Sequence, residues 1–448
     1  MQFAGIRTDL ELNEIDAPFS TYVKCPVDVL PDPMACVVTG LTPQRVNRDG
    51  IDELEAYVWI NRCFSQPRTC VAGFNSLRFD DEFVRHGLYR HLIDPYAREW
   101  QGGNSRWDII DLARAAAALR PEGIEWPVDD GLPTFRLGDL TAANGIAHGA
   151  AHDAMSDVEA TIGLARLLRL KQRRLFDYYL RLRDRAELQR YLRPERPEVS
   201  LHVSRMYPRE RGCIAPIMPL VRHPRNRNSI IVADLGTDIR QLLEWDSDRL
   251  RGALFGKQRE DRPGLKEVRL NRCPFVAPLE TLRPQDAQRL ELDVSAVQDR
   301  FKVLRGQHDL GAKVAAIYGN GPNDATHDAD GALYDGFVVE SDRAICSDVV
   351  GRLLEGVASP DATFSDGRLN ELLFRLRARR DESSLSASER VRWRHWLRSK
   401  LIDGGDTVMT LRKFRMTLDR LDAPADLMVA LRQHADAIER KLEDVDTA

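Results

Sequence analysis

His152 and Asp157 stand five residues apart, and one continuous helix would set them about 140° from each other around its axis. The two can serve one place only if the chain changes conformation between them. Asp153 supplies that change as an N-cap for a helix through Ala154, Met155, Val158, Ile162, Ala165 and Leu168, whose spacing of three and four makes one apolar stripe. His152 then precedes the helix, Asp157 lies in its opening turns, and both overhang one cleft. A capped surface helix with an incidental histidine fits the same residues.

A second segment bears on the choice. Residues 69–74 read as a short strand, Asn75 and Ser76 as a turn, and Asp80 as an early position of the next helix. A carboxylate there again overhangs the end of a sheet. Asp80, Asp81 and Glu82 would also complement a helix dipole with no further role.

A chain of 448 residues is too long for one ordinary core, so two or three domains are expected. At 43% hydrophobic and 30% charged it has a globular composition. No apolar run reaches spanning length, and the first residues lack a signal-peptide layout, so no membrane partner is expected. Seven cysteines without a Cys-x-x-Cys pair predict reduced thiols in a cytoplasmic protein and argue against a zinc site. With a formal net charge of −4, any affinity for nucleic acid must come from a local basic groove.

Residues 3–8, a turn at Asp9-Leu10-Glu11 and a segment to Lys24 predict two antiparallel strands. Asp32-Pro33 opens a loop, and Gly40-Leu41-Thr42-Pro43 precedes a helix through Leu54, Tyr57, Val58 and Ile60. After the Asp80 segment comes a stretch read as a loop, rich in aromatic and basic residues: Tyr89, Arg90, Tyr96, Arg98, Trp100, Arg106 and Trp107. Rings interleaved with arginines suit stacked bases and a tracked backbone; ordinary packing suits them equally. Residues 111–119 are helical, 123–133 irregular, and Arg136 to Asn144 begins a short helix. This alternation fits an α/β domain over residues 1–166. A basic helix over 173–192 and the linker Pro194-Glu195-Arg196-Pro197 follow. Runs at 214–221 and 229–235 predict a small β-rich domain within 173–322, which ends near Gly319-Asn320-Gly321-Pro322-Asn323. Leu353, Leu372, Leu373, Trp393, Trp396, Leu397, Leu431 and residues 435–442 make 325–448 helical.

Asn-x-x-x-Phe-Asp at Asn75 to Asp80, followed by His-x-x-x-x-Asp at His152 to Asp157, resembles the second and third motifs of Asp-Glu-Asp-Asp exonucleases with a histidine base. Gly40-Leu41-Thr42-Pro43-Gln44, Arg78 to Glu82, Asn104 to Asp108, Leu119 to Ile124, Phe135-Arg136-Leu137, Ala143 to Ile146, His202-Val203-Ser204, His223-Pro224 and Asn271 to Pro274 resemble the bacterial exonuclease I family, over nearly the whole chain. The resemblance implies an α/β ribonuclease-H-like exonuclease domain, then an SH3-like β-rich domain and an α-helical C-terminal domain, closing around single-stranded DNA. It implies 3′-to-5′ hydrolysis to nucleoside 5′-monophosphates in repair and recombination, by a monomer that partners the single-strand DNA-binding protein.

Phosphodiester hydrolysis needs an activated water and neutralised phosphoryl oxygens, and two Mg²⁺ ions about 3.5–4 Å apart supply most of this. Carboxylates are the expected cage. Asp80 and Asp157 are the candidate metal ligands, with His152 as general base because histidine titrates near neutrality. The family's Asp-x-Glu motif, on a central strand, is not found here, and the resemblance places that strand before Met1, so an upstream natural start is expected. Asp9 and Glu11 have the spacing but occupy a turn. An inactive single-strand-binding scaffold is therefore a rival reading, and an RNA-trimming exonuclease another. As substrate contacts the resemblance offers Arg136, Arg85, Tyr96, Trp100, Arg114, Arg185, Asn228 and Asn271.

Overall fold

The computed structural model describes residues 1–149, 153–256, 263–319, 327–405 and 407–443. The N-terminal region begins with the expected antiparallel pair. β1 (Gln2–Gly5) runs against β2 (Phe19–Tyr22), Gln2 facing Tyr22. Asp9 shapes the reversal, its Oδ1 accepting the N–H groups of Glu11 and Asn13, both at 2.8 Å. β3 (Cys70–Gly73) and β4 (Ser105–Asp108) form a separate parallel pair. Among the described residues β1 pairs only with β2, and β3 only with β4. A cleft of about 2080 Å³ lies between the two pairs and is lined by both β1 and β3.

Four local expectations change. Asp32 and Pro33 start a helix, Pro33–Thr39, because Asp32 accepts the Met34 N–H and proline suits the first turn, where its missing N–H costs nothing. The helix expected after Thr42 is two, Pro43–Asp49 and Glu53–Phe64, parted at Gly50 and capped separately by Thr42 and Asp52. The irregular 123–133 stretch holds a hairpin, β5 (Val128–Asp129) with β6 (Leu132–Pro133). It turns through Asp130 and Gly131, both in the left-handed region. The basic helix is broken into Arg173–Arg181 and Arg185–Gln189.

The second region is a five-stranded antiparallel sheet of β7 (Ser200–Val203), β8 (Ile214–Arg222), β9 (Ser229–Asp234), β10 (Leu265–Arg269) and β11 (Val276–Pro278), in the order β10-β9-β8-β7-β11. Its core is continuous with the first region's. Every residue of the alanine-rich helix Ile109–Leu119 is buried, and Leu112, Ala115 and Ala116 share one apolar cluster with Leu201, Ile214 and Ile231. Small side chains let this helix approach the sheet closely.

The third region is helical, with Trp393, Leu397, Phe414 and Leu431 at its centre. Fully buried Asp28 ties it to the first: it accepts from Arg379 (3.0 Å), Lys400 (2.7 Å) and Arg90 (3.2 Å). Burial alone would raise the Asp28 carboxyl; the three cations hold it well below the usual range. The Gly319 to Asn323 break lies, beyond Gly319, outside the described residues.

Candidate active site

β3 ends at Gly73, and Asn75, with φ 61°, turns the chain into a short 3₁₀ turn, Ser76–Arg78. The helix Asp80–Arg90 follows. Asp108, at the end of β4, clamps this turn: its carboxylate accepts the N–H groups of Asn75 (2.8 Å) and Leu77 (3.2 Å) and also that of Ile110 (3.1 Å). Burial, with the charge of Asp111 adding to it, pushes the Asp108 carboxyl up to about 7 against those three donors. The helix is further fixed by Gly87, where a Cβ would fall 1.9 Å from the Tyr57 ring.

The three acidic residues that open this helix have different surroundings. Asp80 opens onto the cleft. Surrounding protein pushes its carboxyl above the usual range, its own backbone N–H opposes the shift, and the charges of Asp81 and Asp157 add to it. Asp81 is buried against Arg98 (2.6 Å), Arg106 and Arg85 (3.8 Å), which together hold it below the usual range although burial alone would raise it. Glu82 accepts from Arg272 (2.8 Å) and from the Tyr334 hydroxyl. Asp81 and Glu82 therefore have tertiary partners beyond any helix-dipole role.

Asp157 reaches the same cleft from the helix Ala154–Lys171. Its cap is as expected, Asp153 accepting from Met155 N (3.1 Å) and Ser156 N (3.2 Å), and Gln2 of β1 donates to Asp153 at 2.8 Å. The apolar stripe is rotated from the expected one. Ser156, Ala160, Leu164, Ala165 and Leu168 are buried, whereas Val158 and Ile162 line the cleft. His152 lies outside the described residues. The histidine seen at the carboxylate is His148, which the sequence did not single out: its Nε2 is 2.8 Å from Asp157 Oδ1, and its Nδ1 is 3.3 Å from Thr141 Oγ1.

The aromatic and basic stretch is a loop only in its middle, where turns and the short 3₁₀ turns Ala97–Glu99 and Gln101–Gly103 run between helix and strand. Tyr89 and Arg90 close the Asp80 helix, Arg106 and Trp107 lie in β4, and Tyr89, Arg98, Arg106 and Trp107 are buried. Their partners are Asp81, Glu99 and the Phe176 and Tyr179 rings, so packing and ion pairing claim these side chains. Trp100 alone of the seven is strongly exposed.

The remaining candidates divide. Arg136 and Arg114 line the cleft with Asp80 and Asp157. Arg136 is exposed, 3.5 Å from Asp129, while Arg114 is buried and donates to Asp111 at 2.7 Å. Arg85 is turned inward onto Glu99 (2.6 Å) and packs over half-buried Tyr96. Arg185 donates to Asn228 Oδ1 at 2.8 Å, and the Asn271 carbonyl accepts from Arg106 at 2.6 Å.

Asp80 and Asp157 are hard oxygen donors on one cleft, and one Mg²⁺-sized ion is commonly held by one or two carboxylates with water and phosphate completing its shell. They fit one such ion in kind. Among the described residues no group of three or more His, Cys, Asp or Glu side chains is placed to hold a metal, so the two-ion expectation is not carried further.

Residues 1–165 match the family described as Exonuclease, 183–320 the Exonuclease I SH3-like domain and 327–437 the Exonuclease I C-terminal domain. The exodeoxyribonuclease I of Escherichia coli K12 is 44% identical over 398 residues, 88% of this chain and 84% of that one. The chain belongs to the exonuclease I family. Its fold agrees with that of exonuclease I from Methylocaldum szegediense (TM-score 0.91, 43% identity, 98% and 95% of the two chains). It agrees equally with E. coli exonuclease I in complex with a dA16 oligonucleotide (TM-score 0.91, 40% identity, 98% and 95%). The ribonuclease-H-like, SH3-like and helical order is thereby established, and the chain is a hydrolytic exonuclease.

Proposed function

We propose that this exonuclease removes nucleoside 5′-monophosphates from the 3′ end of single-stranded DNA, in repair and recombination, with Mg²⁺. The observation carrying this reading is the placement of Asp80 and Asp157 on one cleft at strand ends, within a chain of the exonuclease I family. Asp80 and Asp157 would hold the ion, which when bound neutralises charge on the phosphoryl oxygens. His148 orients the Asp157 carboxylate through the 2.8 Å contact. Burial of Asp81 among three arginines leaves Asp80 as the cleft-facing carboxylate of the pair. His152, from the resemblance, takes the proton from the attacking water.

Arg136, exposed on the cleft, is free to meet a phosphate there, and buried Arg114 lines the same cleft. Trp100 and Tyr96 offer rings to bases. Arg185 and Asn228 extend the path onto the second region, while Arg85 and Asn271 act as supports, since both are engaged by other residues. A partnership with single-strand DNA-binding protein and a monomeric state belong to the same reading.

Mononucleotide release from 3′-labelled single strands is the test, with matched RNA and 5′-labelled DNA alongside. Mg²⁺-dependent release from the 3′ label, with RNA resisting, supports the proposal. Binding without release supports an inactive scaffold. Equal use of RNA supports an RNA-trimming enzyme, because only the 2′-hydroxyl distinguishes the strands.

A further inference from the structure

The hairpin of β5 and β6 has little of its own to hold it. It has two residues in each strand and no third strand, a size that is marginal in water. Pro133, a member of one of its two residue pairs, has no N–H to give. Further support comes from Arg209 of the second region. Its Nε donates to the Pro133 carbonyl at 3.2 Å, and one Nη donates to the carbonyls of Asp129 at 3.2 Å and Leu132 at 3.1 Å. One planar guanidinium thus spans both strands, which suits a rigid fork of donors and not a point charge.

The loop that carries Arg209 is anchored at its base. The Ser204 N–H donates to the Cys213 carbonyl at 2.8 Å, Tyr207 is buried, and Arg211 pairs with Asp234 at 2.8 Å. Gly212, with φ 64°, packs so closely that a Cβ there would fall 2.8 Å from Leu290 Cδ2 and 3.5 Å from Ala118 Cβ. The hairpin in turn borders Arg136. Its guanidinium is 3.5 Å from the Asp129 carboxylate, and its backbone N–H donates to Thr134 Oγ1 at 3.4 Å. Asp129 is the joint: its carbonyl accepts from Arg209 and its carboxylate faces Arg136. Arg136 lines the cleft and Arg209 does not, so an effect of Arg209 on the cleft passes through the hairpin.

We propose that Arg209 is a positioning residue: it staples the hairpin to the second region and, through Asp129, sets Arg136 where Arg136 meets the strand. This rests on the reading of Arg136 as a phosphate contact and adds the group that holds it in place. The second region thereby takes part in shaping the cleft of the first through a residue that touches neither the substrate nor the Asp80 and Asp157 carboxylates.

Two measurements on the full-length protein test this, with thermal melting of each variant as a check on folding. In hydrogen exchange, Arg209→Ala should speed the amides of residues 128–136 and leave those of the Asp80 helix at the parent's rate. The second is equilibrium binding to fluorescent dT16 in EDTA, which blocks hydrolysis. Arg136→Ala should weaken it by about 10- to 100-fold, the size of a hydrogen bond to a charged group, and Arg209→Ala by about 2- to 10-fold. Adding Arg209→Ala to Arg136→Ala should cost nothing more. Arg209→Lys keeps the charge, lacks the fork, and should resemble Arg209→Ala. Additive losses, or an Arg209→Lys that binds like the parent, would mean that Arg209 acts on the strand by its own charge, and the proposal is wrong. Unchanged exchange over residues 128–136 would equally overturn it. If Arg136→Ala binds as the parent does, Arg136 is no contact and the positioning role falls with it. If the parent binds no dT16, the single-strand reading itself fails and takes this proposal with it.

Discussion

Asp80 and Asp81 are neighbours in sequence and sit in opposite electrostatic settings. Asp81 faces a buried cage of arginines that stabilises its charge; Asp80 faces a cleft where surrounding protein, and after it the charges of Asp81 and Asp157, destabilise its own. The first arrangement is saturated and serves to hold the helix in place. The second is short of positive charge, and a cation or a cationic ligand would relieve it. Structural carboxylates come with their partners, whereas a working carboxylate is held with its charge uncompensated, at a cost to stability.

The comparison breaks first at Asp81. Asp81→Asn leaves Arg98 and Arg106 buried with less opposing charge and should cost about 3–5 kcal/mol of stability, read by denaturant unfolding. A change below about 1 kcal/mol would mean the cluster is dispensable. Asp80→Asn should do the reverse. Activity per folded molecule should fall by about 10²–10³-fold, and stability at neutral pH should hold or rise. The sign follows from its raised carboxyl: ionising it in the folded state costs stability, a cost that asparagine removes.

A pH series sharpens the same contrast. Asp108, with a folded value of about 7 against roughly 4 when unfolded, contributes stability that is fully present below about pH 4 and lost as pH rises through about 7. Asp330, held at about 2 by Arg379, Arg90 and Lys400 despite its burial, contributes stability present above about pH 4 and lost as pH falls through about 2. Unfolding free energies from pH 2 to 8 should show both limbs, about 4 kcal/mol for Asp108 and about 2–3 kcal/mol for Asp330. Asp330→Asn should flatten only the acid limb. The smallest effect belongs to His148→Ala, which should reduce activity by about 10–100-fold through the loosened Asp157 carboxylate and leave dT16 affinity in EDTA unchanged.

What was legible in the sequence was local. The Asp153 cap, the strand and turn before Asp80, and the opening hairpin all depend on residues a few positions apart, and the structure contains each. What was not legible was distant. Arg98 and Arg106 read as part of a loop suited to a nucleic-acid strand until Asp81 is found beside them, 17 and 25 positions earlier. Glu82 meets Tyr334 across 252 positions. Val158 and Ile162 carry the right spacing for a core stripe, yet line the cleft because the helix is rotated about its axis. His148 gave no signal beyond its chemistry, since its role comes from a contact nine residues away, across the loop-to-helix turn.

The most direct test is Mg²⁺-dependent release of mononucleotides from 3′-labelled single-stranded DNA by the parent, Asp80→Asn and Asp81→Asn, each corrected for its folded fraction. The parent and folded Asp81→Asn should release nucleoside 5′-monophosphates, and Asp80→Asn should not. Equal release by Asp80→Asn and the parent would contradict the assignment of Asp80 as the working carboxylate of the pair.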